Sequence, residues 1–168
     1  MYSRFLKPRH GPGIVVRPLL HGDCDTVAAV FDRLSDRSRR ARFNGPKPSL
    51  SEAELRQLSR VDWTHHVLVA HVDGDPRPVA IARLVREGST AEIAFAVADE
   101  YHQRGIGSAL TAELISDARA AGITEITAVV ASDNPAALAL LRRVLKALEI
   151  RLDGPELLIR AGILQPAR

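Results

Sequence analysis

The sequence predicts an α+β domain: a mixed, mostly antiparallel central sheet of about six to seven strands with helices on both faces. Three observations predict it. Runs with strand patterning, His66–Val72, Pro78–Arg86 and Ala91–Val97, follow one another across turns such as Asp73-Gly74-Asp75-Pro76, as in an antiparallel meander. A glycine-containing turn then opens a helix, after which Thr124–Ala131 is rich in β-branched residues. If that helix packs back on the sheet as a right-handed crossover, this strand runs parallel to Ala91–Val97. Finally, 168 residues that are 46% hydrophobic and 26% charged suit one globular domain, 1–168, burying roughly two-thirds of its unfolded surface.

Taken in order, Ile14–Arg17 reads as the first strand, ended by Pro18. From about Asp25 to Leu34 the residues Val27, Val30, Phe31 and Leu34 recur at i, i+3, i+4 and i+7, one apolar stripe of a helix. Arg37–Phe43 is compatible with a second short helix before the Asn44-Gly45-Pro46 turn. Ser49 and Ser51 each precede a glutamate by three residues, a capping-box pattern for a helix with Leu55 and Leu58 inward. The helix after Gly105 turns Leu110, Leu114 and Ile115 inward and ends at Gly122, which suits the C′ position. A last helix runs from Pro135 to about Ala147 behind Asp133 or Asn134 as cap. Leu148–Leu152 and Glu156–Ala161 close the domain as a hairpin around Asp153-Gly154-Pro155. No internal repeat, low-complexity tract or linker interrupts this order.

Composition narrows the function. The formal charge is only +3, and the positive residues, nearly all arginine, are scattered; this favours anionic ligands weakly and a nucleic-acid footprint poorly. Cys24 is alone, so neither an internal disulfide nor a cysteine-based metal site is expected. MYSRFLKPRHGPG lacks the apolar core of a signal peptide, and no apolar run is long enough to span a bilayer. The expected location is the cytoplasm.

The segment Ala91–Arg119 carries the chemistry: a buried strand, a glycine turn and a helix in succession. N–H groups in a helix's first turn have no intrahelical acceptors and sit at the positive end of its dipole. Gly105, Ile106, Gly107 and Ser108 can therefore present donors to a phosphate. The glycines allow close approach, and Arg104 adds a guanidinium suited to bidentate contact. A tight turn with no ligand is the plain alternative. A dinucleotide fingerprint is excluded because Leu110 stands where a third Gly or Ala is needed, and no Gly-Lys-Ser or Gly-Lys-Thr exists for a Walker loop.

With these residues in view, the element order, YHQRGIGSAL (Tyr101–Leu110) and ASDNPAALALLRR (Ala131–Arg143) resemble the GNAT superfamily of N-acetyltransferases over nearly the whole chain. The resemblance implies a GNAT fold, acetyl-CoA as acyl donor, and its pyrophosphate on the loop from His102 through Gln103, Arg104, Gly105, Ile106 and Gly107 to Ser108. His102 occupies the position usually held by Gln or Arg, and is otherwise a solvated loop residue. The resemblance also implies that the strand splays from its parallel neighbour near Val97. Free backbone groups of Phe95 and Val97 then bond the pantetheine arm, with Asn134 either touching that arm or simply capping its helix.

An amine with a pKa near about 10.4 must lose a proton before it attacks a thioester, and Glu92 is the candidate base. On an extended strand Glu92 shares a face with Ala94 and Ala96, which leaves room for substrate; burial there is expected to raise its pKa. The alternative is a carboxylate paired with Arg83 across the hairpin. Glutamate at this place also resembles the base of bacterial protein-lysine acetyltransferases. Many relatives place a tyrosine acid where this chain has Leu141; Tyr101 reads as loop packing, and a thiol of pKa about 8.5 leaves without much help. Asp62, Trp63, His65 and His66 either border the acceptor cleft or form a turn. Arg37, Arg39, Arg40 and Arg42 either bind an acidic acceptor or CoA phosphates, or form a solvated helix face.

Phe31–Phe43 and Ser51–Val72 look like acetyltransferase domains that modify a lysine of acyl-CoA synthetases and similar metabolic enzymes, a looser match than the cofactor motif. The expectation is direct transfer in a ternary complex to a protein lysine, by a stand-alone domain lacking a regulatory module, with no metal and no membrane partner. Alternatives are a small amine acceptor (aminoglycoside, polyamine or amino acid) or a non-catalytic acyl-CoA-binding module. The acceptor, the acyl-chain preference and the oligomeric state are left open.

Overall fold

The computed structural model describes residues 2–163. In chain order it contains β1 (Arg4–Leu6), β2 (Ile14–Pro18), α1 (Cys24–Asp32), α2 (Asp36–Phe43), α3 (Glu52–Leu58), β3 (His65–Val72), β4 (Ala80–Glu87) and β5 (Thr90–Val97). A single 3₁₀ turn, Asp99–Tyr101, leads to α4 (Ile106–Ala120), β6 (Glu125–Ala131), α5 (Pro135–Val144), β7 (Glu149–Asp153) and β8 (Glu156–Gly162). The strands form one sheet in the order β1-β2-β3-β4-β5-β6-β8-β7. Every neighbouring pair is antiparallel except β5 and β6, which are parallel across the α4 crossover.

Side-chain alternation sends the strands' two faces to different helices. Leu68, Ala70, Ala82, Leu84, Ala91 and Ile93 pack with Leu110, Leu114, Ile115 and Leu141 of α4 and α5 in the main core. On the other face Val67 and Val69 meet Leu19 and Val27, with Ile81, Leu55 and Leu58 packed alongside. By register Val67, Arg83 and Ala94 stand in one row and Val85 and Glu92 in the next, so Arg83, Glu92 and Ala94 belong to this second face.

Eight strands replace the expected six to seven, the difference being chiefly β1. Three residues, Arg-Phe-Leu, carry too little alternation to announce a strand. Long-range contacts hold it: Arg4 pairs with Glu113 and, at 2.8 Å, with Asp117 of α4. His66 Nε2 donates to Asp117 at 2.7 Å. α5 ends at Val144 instead of about Ala147, where the backbone turns left-handed at φ 51°. Ser51, not Ser49, caps α3 and completes the box with Glu54.

The entry to the 3₁₀ turn is pinned to the first helices. Asp99 accepts from the Ser35 amide at 2.9 Å, the Ser35 hydroxyl at 2.7 Å and the Ser38 hydroxyl at 3.0 Å. The Arg33 side chain, only 3% exposed, lies between Asp75 and Glu100. No helix among the described residues is long and apolar enough to cross a membrane.

Candidate active site

The parallel pair holds for three positions only, Thr90↔Glu125, Ala91↔Ile126 and Glu92↔Thr127. Beyond them β5 follows β4 to Val97 while β6 follows β8 to Ala131, and a wedge opens between the two. It begins directly after Glu92, five residues before the Val97 expected from the sequence. Ala98 N–H donates to the Val79 carbonyl at 2.8 Å, so the antiparallel alternation turns the backbone groups of Val97 and Phe95 toward the open side. There the His102 imidazole donates from Nε2 to the Val97 carbonyl oxygen at 2.8 Å.

At the same end of the wedge α4 begins. Side chains of Asp23, Ser35, Ser51 and Asn134 cap the other four α-helices of the described residues. α4 has no side-chain cap; its N-cap is Gly105 at φ 77°, a left-handed backbone that glycine adopts without steric cost. The first-turn amides of Ile106, Gly107 and Ser108 therefore lack the local acceptor that the other helices supply. A Cβ on Gly107 would lie 2.9 Å from Leu140 Cδ1 and 3.2 Å from Val97 Cγ2, so the missing side chain seats the turn against β5 and α5. His102, Gln103 and Arg104 are exposed on the loop, with the Arg104 guanidinium 5.3 Å from the centre of the Tyr101 ring.

Glu92 stands where the wedge starts, on the face of Ala94 and Ala96. Its side chain is exposed, so the burial expected for it is absent from this structure. Arg83 is its diagonal neighbour across β4, but no ion pair joins them among the described residues; Glu92 acts on Arg83 and Arg42 as a longer-range counter-charge. Arg42, Arg83, Ala94 and Ala96 line an open-mouthed cavity of about 30 Å³ between the first helices and the sheet, together with Val30 and Phe31. Burial first, and then the nearby Arg83 guanidinium, lower Arg42 to about 10, so it stays cationic at neutral pH.

Other sequence candidates separate clearly. Asn134 caps α5, its Oδ1 accepting from Ala137 N–H at 3.1 Å, which leaves its amide hydrogens free. Leu141 is completely buried in the main core, far from any role in proton transfer. Tyr101 donates its hydroxyl to Asp75 at 2.9 Å, which agrees with loop packing. Asp62 organises a turn: its Oδ1 accepts from Thr64 and His65, and hydrogen bonds from these groups hold its carboxyl well below the usual range. Trp63 is exposed and His66 is taken by Asp117. Sequence reasoning passed over Arg33, Asp99 and Glu100, whose partners lie more than 40 residues away and leave no local pattern.

Comparison with known proteins shows the family and the fold. Residues 31–146 match the model of the family described as acetyltransferase (GNAT). Acetyltransferase Pat of Mycolicibacterium smegmatis is 36% identical over 132 residues, covering 76% of this chain and 39% of that protein. Acetyltransferase PA5475 of Pseudomonas aeruginosa is 32% identical over 131 residues, covering 75% of this chain and 70% of that protein. The crystal structure of the GNAT domain of S. lividans PAT superposes with a TM-score of 0.86 at 24% identity, covering 96% of this chain and 97% of that one. The matched segment thus spans 39% of the M. smegmatis relative's length.

Proposed function

The chain belongs to the GNAT acetyltransferase family, and from that premise we propose that it transfers the acetyl group of acetyl-CoA directly to an amine, with a protein lysine as leading acceptor. The single observation that carries the donor site is the uncapped first turn of α4, set at the mouth of a wedge between two parallel strands. Amides of Ile106, Gly107 and Ser108 suit a pyrophosphate, with Arg104 beside them and Gln103 and His102 on the approach. Outward backbone groups of Phe95 and Val97 suit an amide-bearing arm in the wedge, and the free amide hydrogens of Asn134 can meet it.

The reaction needs a neutral amine. Glu92, at the wedge's closed end and on the face of small side chains, takes the amine's proton directly or through water. The nitrogen then bonds to the thioester carbonyl carbon, the carbon–sulfur bond breaks, and the thiolate takes its proton from solvent. With Leu141 buried, no side chain of α5 is assigned as acid. The resemblance of Phe31–Phe43 and Ser51–Val72 to domains that acetylate a protein lysine supports a protein acceptor over a small amine.

Incubating the full chain with acetyl-CoA, proteome extract and an amine panel, with thiol release and acetyl-lysine mapping as readouts, tests this reading. Acceptor-dependent release of CoA with new acetyl-lysine supports it; no release from any acceptor overturns it.

A further inference from the structure

We propose that Arg42 and Arg83 form a subsite for a carboxylate carried by the acceptor close to its reactive amine. This deepens the acetyltransferase reading and rests on it.

The two arginines come from different elements, the last turn of α2 and the middle of β4, and line the same cavity. Among the described residues neither has an ion-pair partner, and Arg83 Nε is buried without any hydrogen-bond partner. The contrast with Arg33 is instructive, since that buried guanidinium is held by two carboxylates, Asp75 and Glu100. Both side chains are partly buried, with the Phe43 ring, 4.9 Å from the Arg42 guanidinium, near to hand. A partly desolvated charge without a carboxylate is costly, and two like charges facing one small space cost more. The rest of the lining, including Val30, Phe31 and Leu34, is apolar and offers no acceptor. A cavity of about 30 Å³ has room for about two water-sized groups. That suits the two oxygens of a planar carboxylate, which guanidinium forks bind in bidentate fashion.

Glu92 sets where the rest of the acceptor lies. It is two residues along β5 from Ala94, which lines the cavity, so carboxylate and amine would be separated on the order of 7 Å. The surface offers positive charge at one end and negative at the other, the complement of a zwitterionic acceptor. Two sources present this chemistry: an acidic side chain beside an acceptor lysine in a protein, and the carboxylate of a free amino acid such as lysine.

The test uses the full chain with acetyl-CoA and three acceptors: free lysine, a blocked peptide with lysine between glutamates, and the same peptide with glutamines. The subsite predicts that free lysine or the glutamate peptide exceeds the glutamine peptide in kcat/KM by at least about 10-fold, and which of the two does so names the source. Arg42→Gln and Arg83→Gln should abolish the preference through KM, with acetyl-CoA affinity unchanged by calorimetry; Arg83→Lys replaces any variant whose melting temperature collapses. Equal use of the glutamate and glutamine peptides with no preference for free lysine, or arginine variants that slow all acceptors alike, overturns the proposal. If no acceptor is turned over, the acetyltransferase reading fails, and the subsite is judged by titrating glutarate while following the Arg83 Nε–H NMR signal. A saturable shift, absent in Arg42→Gln, supports the subsite; no shift ends it.

Discussion

The imidazole of His102 donates to the carbonyl oxygen of Val97 at 2.8 Å, across the mouth of the wedge between β5 and β6. The imidazole of the loop thus hydrogen-bonds to the strand, and in the proposed donor site phosphate contact is left to the backbone amides. His102→Ala removes one exposed hydrogen bond and frees a carbonyl for the pantetheine arm, effects of opposite sign. Its acetyl-CoA affinity should change by less than about threefold. Gly107→Val, which drives a branched side chain into Leu140 and Val97, should weaken binding much further. Calorimetric titration of both variants checks the contrast.

Glu92→Gln keeps the shape of the strand face and removes the proposed base. Turnover with a lysine acceptor should fall about 100-fold or more, while calorimetric affinity for acetyl-CoA stays unchanged. An equal loss of affinity would place Glu92 in donor binding instead.

Asp75 links the acid stability of the fold to the loop. The Arg33 guanidinium first, and then the Arg77 amide and the Tyr101 hydroxyl, hold its carboxyl well below the usual carboxylate range. A depressed folded pKa stabilises the protein above the unfolded value of about 3.9, and that contribution is lost as pH falls through the folded value. Asp75→Asn should cost about 2 kcal/mol at pH 7. The gap in melting temperature between wild type and variant should narrow as pH drops from 5 to about 2. A gap that stays constant over this range would show that the Arg33–Asp75 pair does not govern the acid transition.

Leu141→Tyr places a phenol where many relatives keep their general acid. Because Leu141 is fully buried, the larger ring should overpack the main core by about 1–3 kcal/mol and leave kcat unraised. Denaturant unfolding and steady-state kinetics of this variant answer both points.

How much of this was legible in the sequence follows from where each signal resides. α4 and its glycine entry, the β5–α4–β6 crossover and the Ser51–Glu54 box are local, and residues a few positions apart announce them. β1 was not legible, because three residues cannot display a period and Arg4 finds its carboxylates on α4. The start of the splay could not be read from β5 alone; it is fixed by how far β6 follows β8. Within the site, alternation placed Glu92 with Ala94 and Ala96, but not its exposure, which depends on how far α2 reaches over the sheet. Arg42 looked like one more charge on a basic helix, and only the packing of α2 against β5 and β6 brings it into the same cavity as Arg83.

The central claim, that acetyl-CoA rests on open amides at the start of α4, is tested most directly by following backbone amide NMR signals of the ¹⁵N-labelled chain during titration with acetyl-CoA. The account predicts saturable downfield shifts at Ile106, Gly107 and Ser108, with smaller movements at Phe95 and Val97. Saturation with those three amides unmoved, or no response at any acetyl-CoA concentration, would contradict it.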